Sequence, residues 1–230
     1  MGLGKDMADE KTAVEKIVFE DGEGYYEEKK SRFLSELHAA HSEEEALVIV
    51  ESVRKKYYDA KHHVFAYRIG EKGDLMRAAD DGEPQGTAGR PILDVLTGQG
   101  IHDAVLVVTR YFGGTLLGTG GLTRAYSKAA GDAVEKSLVL AEERGEVFDL
   151  IYPYDMAGKV EYLFRNSDGI LLSQDYGSAV KIRGILPEER AGRFFEDLRN
   201  LSKGSLSAEN REPCRFVRKD GKGILLAPEV

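Results

Sequence analysis

Two loops carry the residues whose types and spacing could do chemistry. The first is Asp80-Asp81-Gly82-Glu83-Pro84-Gln85-Gly86-Thr87-Ala88-Gly89-Arg90-Pro91. Three carboxylates within four positions are the hard oxygen ligands that a divalent cation takes. The later glutamate of a calcium-binding loop is missing, however, and acids on such a turn also serve as solvated or arginine-paired groups. A structural role is expected for them, and no metal. The second loop is Arg110-Tyr111-Phe112-Gly113-Gly114-Thr115-Leu116-Leu117-Gly118-Thr119-Gly120-Gly121-Leu122-Thr123-Arg124. It follows an apolar run and opens a helical pattern, the setting in which backbone N–H groups and a helix dipole hold an anion. Its glycine spacing is neither that of a P-loop nor that of a dinucleotide fingerprint, and no cofactor is implied. The glycines could equally serve close packing and positive φ alone. Anion or backbone-phosphate contact through Arg90, Arg110, Gly113, Gly114, Gly118, Gly120, Gly121, Arg124 and Lys128 is the functional expectation, with Tyr111 or Phe112 available to stack on a base.

Other reactive residue types lead nowhere. His62 and His63 are neighbours in a strand pattern, so they point to opposite faces and cannot chelate one ion together; one of them is expected to be buried and hydrogen-bonded. There is a single cysteine, Cys214, which excludes an intramolecular disulfide and a cysteine-rich zinc site. No nucleophile elbow or triad is recognisable, and a non-enzymatic role is expected.

Elements that must position these loops can be read from period and punctuation. Val14 to Glu20 and Ser31 to His38 read as strands, with Asp21-Gly22-Glu23-Gly24 as a turn between them. Ser42-Glu43-Glu44-Glu45 is a capping box before a helix to about Tyr58. His62 to Ile69 and Leu75 to Ala79 read as paired strands, Pro91 as the start of a short helix, Ala104 to Thr109 as a buried strand, and Leu122 to Ala133 as part of a long helix. A second domain follows Glu142-Glu143-Arg144, read as a linker. It comprises a strand Glu146 to Tyr152, a helix around Met156 to Phe164, a hairpin across Gly177-Ser178, a helix from Pro187 and a last strand at Arg215 to Val217. That order, βαββαβ, is the ferredoxin-like split βαβ arrangement. The fold class is therefore α+β, with domains at residues 14–141 and 145–218.

Composition narrows the partners. The 230 residues are 42% apolar and 31% charged, with a net charge of −8. Excess acid gathers at the start of the chain. Between Gly86 and Ala130 the balance reverses, with Arg90, Arg110, Arg124 and Lys128 against Asp94 and Asp103. Global acidity argues against a generic nucleic-acid coat but leaves room for a local basic face. No apolar run approaches the ~20 residues of a membrane helix, and Met1 to Glu10 is polar with no apolar signal segment, composed like a disordered end. A cytoplasmic location is expected.

Several separated motifs make the chain resemble a known family. Ser31-Arg32-Phe33 is followed by Asp59-Ala60-Lys61-His62 and by Ala66-Tyr67-Arg68-Ile69-Gly70. Then come Asp80 to Pro91, Val108-Thr109-Arg110-Tyr111-Phe112-Gly113-Gly114, Leu117-Gly118-Thr119-Gly120-Gly121-Leu122 and Arg124-Ala125-Tyr126. Over residues 16–137 these look like the YigZ/IMPACT family, in its bacterial two-domain form. His62, Tyr67, Asp80, Asp81, Gly82, Glu83, Pro84, Gly86, Thr87 and Gly89 fall on the family's motif. The family often has a cysteine just after the histidine, where this chain has Val64. The resemblance implies a first domain similar to domain IV of elongation factor G, its sheet covered by helices on one side, and a second similar to that factor's domain V. It also implies a translation-related regulatory protein that binds RNA or the ribosome. Two alternatives stay open: a module for a protein partner in translation control, using Phe112, Leu116 and Leu117, and an enzyme for a phosphorylated small ligand, with Asp80, Asp81 and Glu83 on a metal.

Overall fold

The computed structural model describes residues 14–70 and 73–226; the expectation for the first ten residues lies outside them. The chain packs as two compact units, one to Val139 and one from Leu140.

The first unit is built on a five-stranded antiparallel sheet. β1 (Lys16–Glu20) lies outside it and pairs in parallel with the short β6 (Ile101–His102). The sheet runs in the order β2 (Gly22–Glu28), β3 (Ser31–Ala39), β7 (Ala104–Tyr111), β4 (His62–Ile69), β5 (Leu75–Ala79). β2 is a correction to the expected turn at Asp21–Gly24. Its glycines are there for close approach: a Cβ at Gly22 or Gly24 would collide with the backbone at Ala133. The actual turn is Lys29-Lys30, both with positive φ, 47° and 65°, the backbone that a two-residue hairpin loop needs.

Three helices cover the sheet. α1 (Glu43–Lys56) is capped as expected, with the Glu45 N–H donating to Ser42 Oγ at 3.1 Å and the His41 N–H to Glu45 Oε2 at 2.8 Å. It packs on Val105, Val107, Phe65, Tyr67 and Ile69. α2 (Gly89–Gln99) and α3 (Thr119–Glu135) pack on the alternate residues Leu106, Val108, Val64 and Ala66. Helices thus lie on both faces, not one, which is why the middle strand β7 reads as an unbroken apolar run.

The second unit holds β8 (Leu138–Tyr152), α4 (Ala157–Asn166), β9 (Ile170–Tyr176), β10 (Val180–Pro187), α5 (Glu188–Leu201), β11 (Glu209–Lys219) and β12 (Lys222–Leu225). Its antiparallel order β9-β10-β8-β11 is the ferredoxin-like one, extended by β12. Glu142 to Arg144 are strand, paired with Val217 to Arg215; their charge resembles a linker, but Glu142 pairs with Arg215 at 3.5 Å and Glu143 with Arg218 at 2.8 Å on the neighbouring strand. The core centres on Phe148, whose ring lies 5.9 Å from Phe164 and 5.6 Å from Phe194. Among the described residues no helix is long and apolar enough to cross a membrane.

Candidate anion-binding site at the two glycine-rich loops

The first loop joins β5 to α2, and its three carboxylates turn in three directions. Asp80 reaches across the turn: Oδ2 accepts the Gly86 N–H at 2.7 Å, and Oδ1 accepts those of Ala88 at 3.1 Å and Gly89 at 2.9 Å. It therefore caps α2 from outside the helix. Burial by itself would raise its pKa, but these N–H groups outweigh it and hold the carboxyl below the usual range. Asp81 accepts the His63 N–H at 2.6 Å and Arg54 Nη2 at 3.2 Å. Glu83 turns inward, where Oε1 accepts Arg110 Nη1 at 2.6 Å and the Tyr126 hydroxyl at 2.8 Å. With each acid given to different donors, they do not converge on a common point as cation ligands must.

The Glu83–Arg110 pair corrects one expectation. The Arg110 side chain is 6% exposed and that of Glu83 4%, so Arg110 is not a surface phosphate ligand. The reversed charge balance between Gly86 and Ala130 conceals a buried internal pair whose acid lies 27 positions earlier. The guanidinium sits 5.6 Å from the Phe33 ring and 5.7 Å from the Phe112 ring, while its Nε has no hydrogen-bond partner. Burial, then the Glu83 carboxylate, drives the Tyr126 phenol far above its ordinary pKa. Tyr126 stands in the quoted motif but drew no functional expectation; its place on the buried face of α3 was legible, its reach to Glu83 was not. The histidines divide as expected. His63 is buried with Nε2 3.0 Å from the Tyr57 carbonyl. His62 Nδ1 lies 2.9 Å from the Asp81 carbonyl, which can only accept, so Nδ1 is the donor.

The second loop joins β7 to α3. Gly113 is pinned to the β2–β3 turn: its N–H donates to Ser31 Oγ at 3.1 Å, and a Cβ there would collide with the backbone of Lys30. Lys29 and Lys30, both exposed, are thereby brought beside the loop, a juxtaposition that spans some eighty positions and that sequence reading missed. Gly114 and Gly118 have φ of 84° and 70°. Gly118 is the N-cap of α3 and, being glycine, supplies no capping side chain; the first turn holds no acid. Arg124 is exposed, with Nη1 3.7 Å from where a Cβ on Gly120 would stand. Lys128 is exposed one turn further on, its Nζ donating to the Tyr26 hydroxyl at 3.3 Å.

The aromatic pair also divides. The Tyr111 hydroxyl donates to Asp59 at 2.7 Å, which with burial pushes its pKa up to about 12, and Arg32 lies 4.8 Å over its ring. Tyr111 is thus held in place, while Phe112 is 54% exposed. Two other expected residues stand apart. Arg90 pairs with Asp94 at 2.7 Å on the exposed side of α2. Tyr67 is fully buried on the opposite face of the sheet, where it bonds Glu43 of α1. Thr87 closes the first loop on itself, its hydroxyl donating to the Pro84 carbonyl at 2.6 Å.

Comparison with known proteins supplies the wider setting. The Impact N-terminal domain matches residues 29–134, which include both loops, and a domain of unknown function, DUF1949, matches residues 150–205. IMPACT family member YvyE of Bacillus subtilis is 35% identical over 195 residues, covering 85% of this chain and 90% of that one. IMPACT family member YigZ of Escherichia coli is 38% identical over 180 residues, covering 77% and 88%. A protein IMPACT homolog of Dictyostelium discoideum is 37% identical over 94 residues, 40% of this chain and 27% of that one. A crystal structure titled only as that of a hypothetical protein aligns with a TM-score of 0.54 at 36% identity, covering 84% of this chain and 95% of the other. With two relatives above 30% identity matched over most of their length, the chain belongs to the IMPACT family.

Proposed function

We propose that this protein is a non-enzymatic, translation-related binding protein whose first domain grips the phosphate backbone of RNA at the start of α3. One observation carries the reading. In the first domain the starts of α1 and α2 are closed by Ser42 and Asp80, whereas the start of α3 is a bare run of glycine and threonine with no capping side chain and no acid. Free N–H groups at a helix start favour an anion. Basic residues frame it: Arg124 and Lys128 on the helix, Lys29 and Lys30 on the adjoining turn, with no acid anywhere from Phe112 to Ala130. Phe112 offers a ring for a base to stack on. Family membership, and the likeness to elongation-factor domains that the family resemblance implies, favour the ribosome as the setting.

Co-sedimentation with ribosomes and their subunits at low and high salt tests this. Wild type should pellet at low salt only, and Arg124→Glu/Lys128→Glu should stay in the supernatant while remaining folded. Pelleting of that variant like wild type would refute it. A second reading rests on the exposure of Leu116, 83%, beside Phe112: these apolar groups suit a protein partner in translation control. A partner captured equally well after nuclease treatment would favour it. The third alternative, an enzyme with a carboxylate-held metal, loses its support because Asp80, Asp81 and Glu83 are each engaged elsewhere.

A further inference from the structure

A line of ionisable side chains joins the β2 edge of the first sheet to the end of α1. Lys56, in the last turn of α1, donates to Glu23 of β2 at 3.0 Å and to Glu36 of β3 at 2.9 Å. It thereby bridges two acids that stand directly opposite each other in the β2–β3 register. His38 lies two residues along β3 from Glu36 and on the same face. Its ring stands between two carboxylates: Nδ1 is 2.7 Å from Asp21 Oδ2, and Nε2 is 3.3 Å from Glu36 Oε2. Asp21 is the single residue between the end of β1 and the start of β2. It forms the corner at which the chain enters the five-stranded sheet.

An ionised carboxylate only accepts, so each ring nitrogen must donate. A neutral imidazole carries one N–H and an imidazolium two; this arrangement therefore requires the charged ring. The two bonds are unequal. The Glu36 side chain is 7% exposed and that of Asp21 58%, and exposed pairs contribute little. Burial by itself would raise the Glu36 pKa, but His38, Lys56 and Tyr57 outweigh it and hold the carboxyl down to about 2. Glu36 is thus an anion whichever form the ring takes. The bond to Glu36 raises the His38 pKa above its ordinary value, burial opposes it, and Asp21 adds to it. Around the ring, β7 sets the apolar Val105 opposite His38, and Lys56 and Tyr57 at the α1 end act on Glu36. Histidine is the member of this set whose charge changes near neutral pH.

We propose that His38 is a proton-operated clasp on the β1–β2 corner: its imidazolium ties Asp21 to Glu36 in mildly acidic to neutral conditions, and loss of the proton frees Asp21 and the start of β2. Once the proton leaves, one ring nitrogen presents a lone pair to a carboxylate. Glu36 is fixed by Lys56, whereas Asp21 is exposed and outside a strand, so Asp21 is the partner that turns into water. The direction with pH follows from the raised pKa. The clasp contributes fully below the unfolded value of about 6.5 and is lost as pH rises through the folded one.

The test is NMR of the full chain between pH 5 and 9, on wild type, His38→Gln and Asp21→Asn. The wild-type His38 ring should titrate above about 6.5, the ordinary value, and at a lower pH in Asp21→Asn than in wild type. Amide exchange over residues 22–26 gives the second readout. At pH 6 these amides should be about 2–5-fold better protected in wild type than in His38→Gln, the range that a partly exposed charge pair gives. At pH 9 the two proteins should be equally protected. A wild-type ring that titrates at or below the ordinary value would overturn the proposal. A protection ratio that is the same at both pH values would also overturn it, leaving His38 as a packing group. Should His38→Gln fail to fold, the ring titrations decide: the same titration in Asp21→Asn as in wild type would show that the ring does not hold the corner.

Discussion

A guanidinium taken out of water needs an acceptor of opposite charge, since removing one partner of a buried pair leaves the other uncompensated. Arg110 and Glu83 stand in that relation, with the Tyr126 hydroxyl as a third member. Glu83→Ala is therefore expected to cost about 3–5 kcal/mol, read from the urea midpoint, whereas Glu83→Gln, which keeps an acceptor, should cost less. Equal, small losses would mean that water reaches the pair. Asp80 makes a pH-dependent counterpart. Its folded-state pKa is depressed by N–H groups of Gly86, Gly89 and Ala88 against the effect of burial, so its contribution is present above the unfolded value of about 3.9 and lost as pH falls through the folded one. Asp80→Asn should cost about 1 kcal/mol at pH 7, the order of a carboxylate's interaction with a helix N-terminus, and the gap from wild type should close below pH 4. A gap unchanged at low pH would show that charge is not what holds this turn.

Among the elements, the glycines of the second loop separate into two kinds, which substitution can distinguish. Gly113 is required by the fold, because its Cβ would meet the Lys30 backbone; Gly113→Ala should lose about 1–3 kcal/mol through forced displacement of the β2–β3 turn. Gly120 has negative φ and meets nothing closer than Arg124 Nη1 at 3.7 Å. Gly120→Ala should leave the fold unchanged or up to about 1 kcal/mol more stable, as a helical glycine replaced by alanine does, while weakening RNA binding by crowding the backbone; full binding would show that no ligand approaches there. The same distinction explains what could be read from the residues. α1, β4, β7 and the βαββαβ order were legible because capping, alternation and apolar runs are local signals. β2 was not, because Gly22 and Gly24 answer to a helix more than a hundred positions away. Nor was its turn, since Lys29-Lys30 adopts a conformation more often given to asparagine and glycine. At the site, the loops themselves were legible from glycine content, but the identity of the free cations was not. Arg110 is consumed by Glu83, and Lys29 and Lys30 arrive through strand pairing.

At the scale of the molecule, a net charge of −8 repels a polyanion in general, so RNA binding requires a concentrated basic face and should be confined to it. Arg124, Lys128, Lys29 and Lys30 are the four residues assigned to that face. If each neutralises one phosphate of a single strand, the logarithm of affinity should fall with the logarithm of salt concentration at a slope of about −3. The most direct measurement is fluorescence anisotropy of a labelled single-stranded RNA across a salt series, for wild type, Arg124→Glu and Arg193→Glu, the last reversing an exposed charge on α5 of the second unit. Wild type and Arg193→Glu should share that slope, and Arg124→Glu should bind more weakly with a shallower one. Equal affinity and slope for wild type and Arg124→Glu would contradict the assignment of the α3 start as the phosphate-binding site.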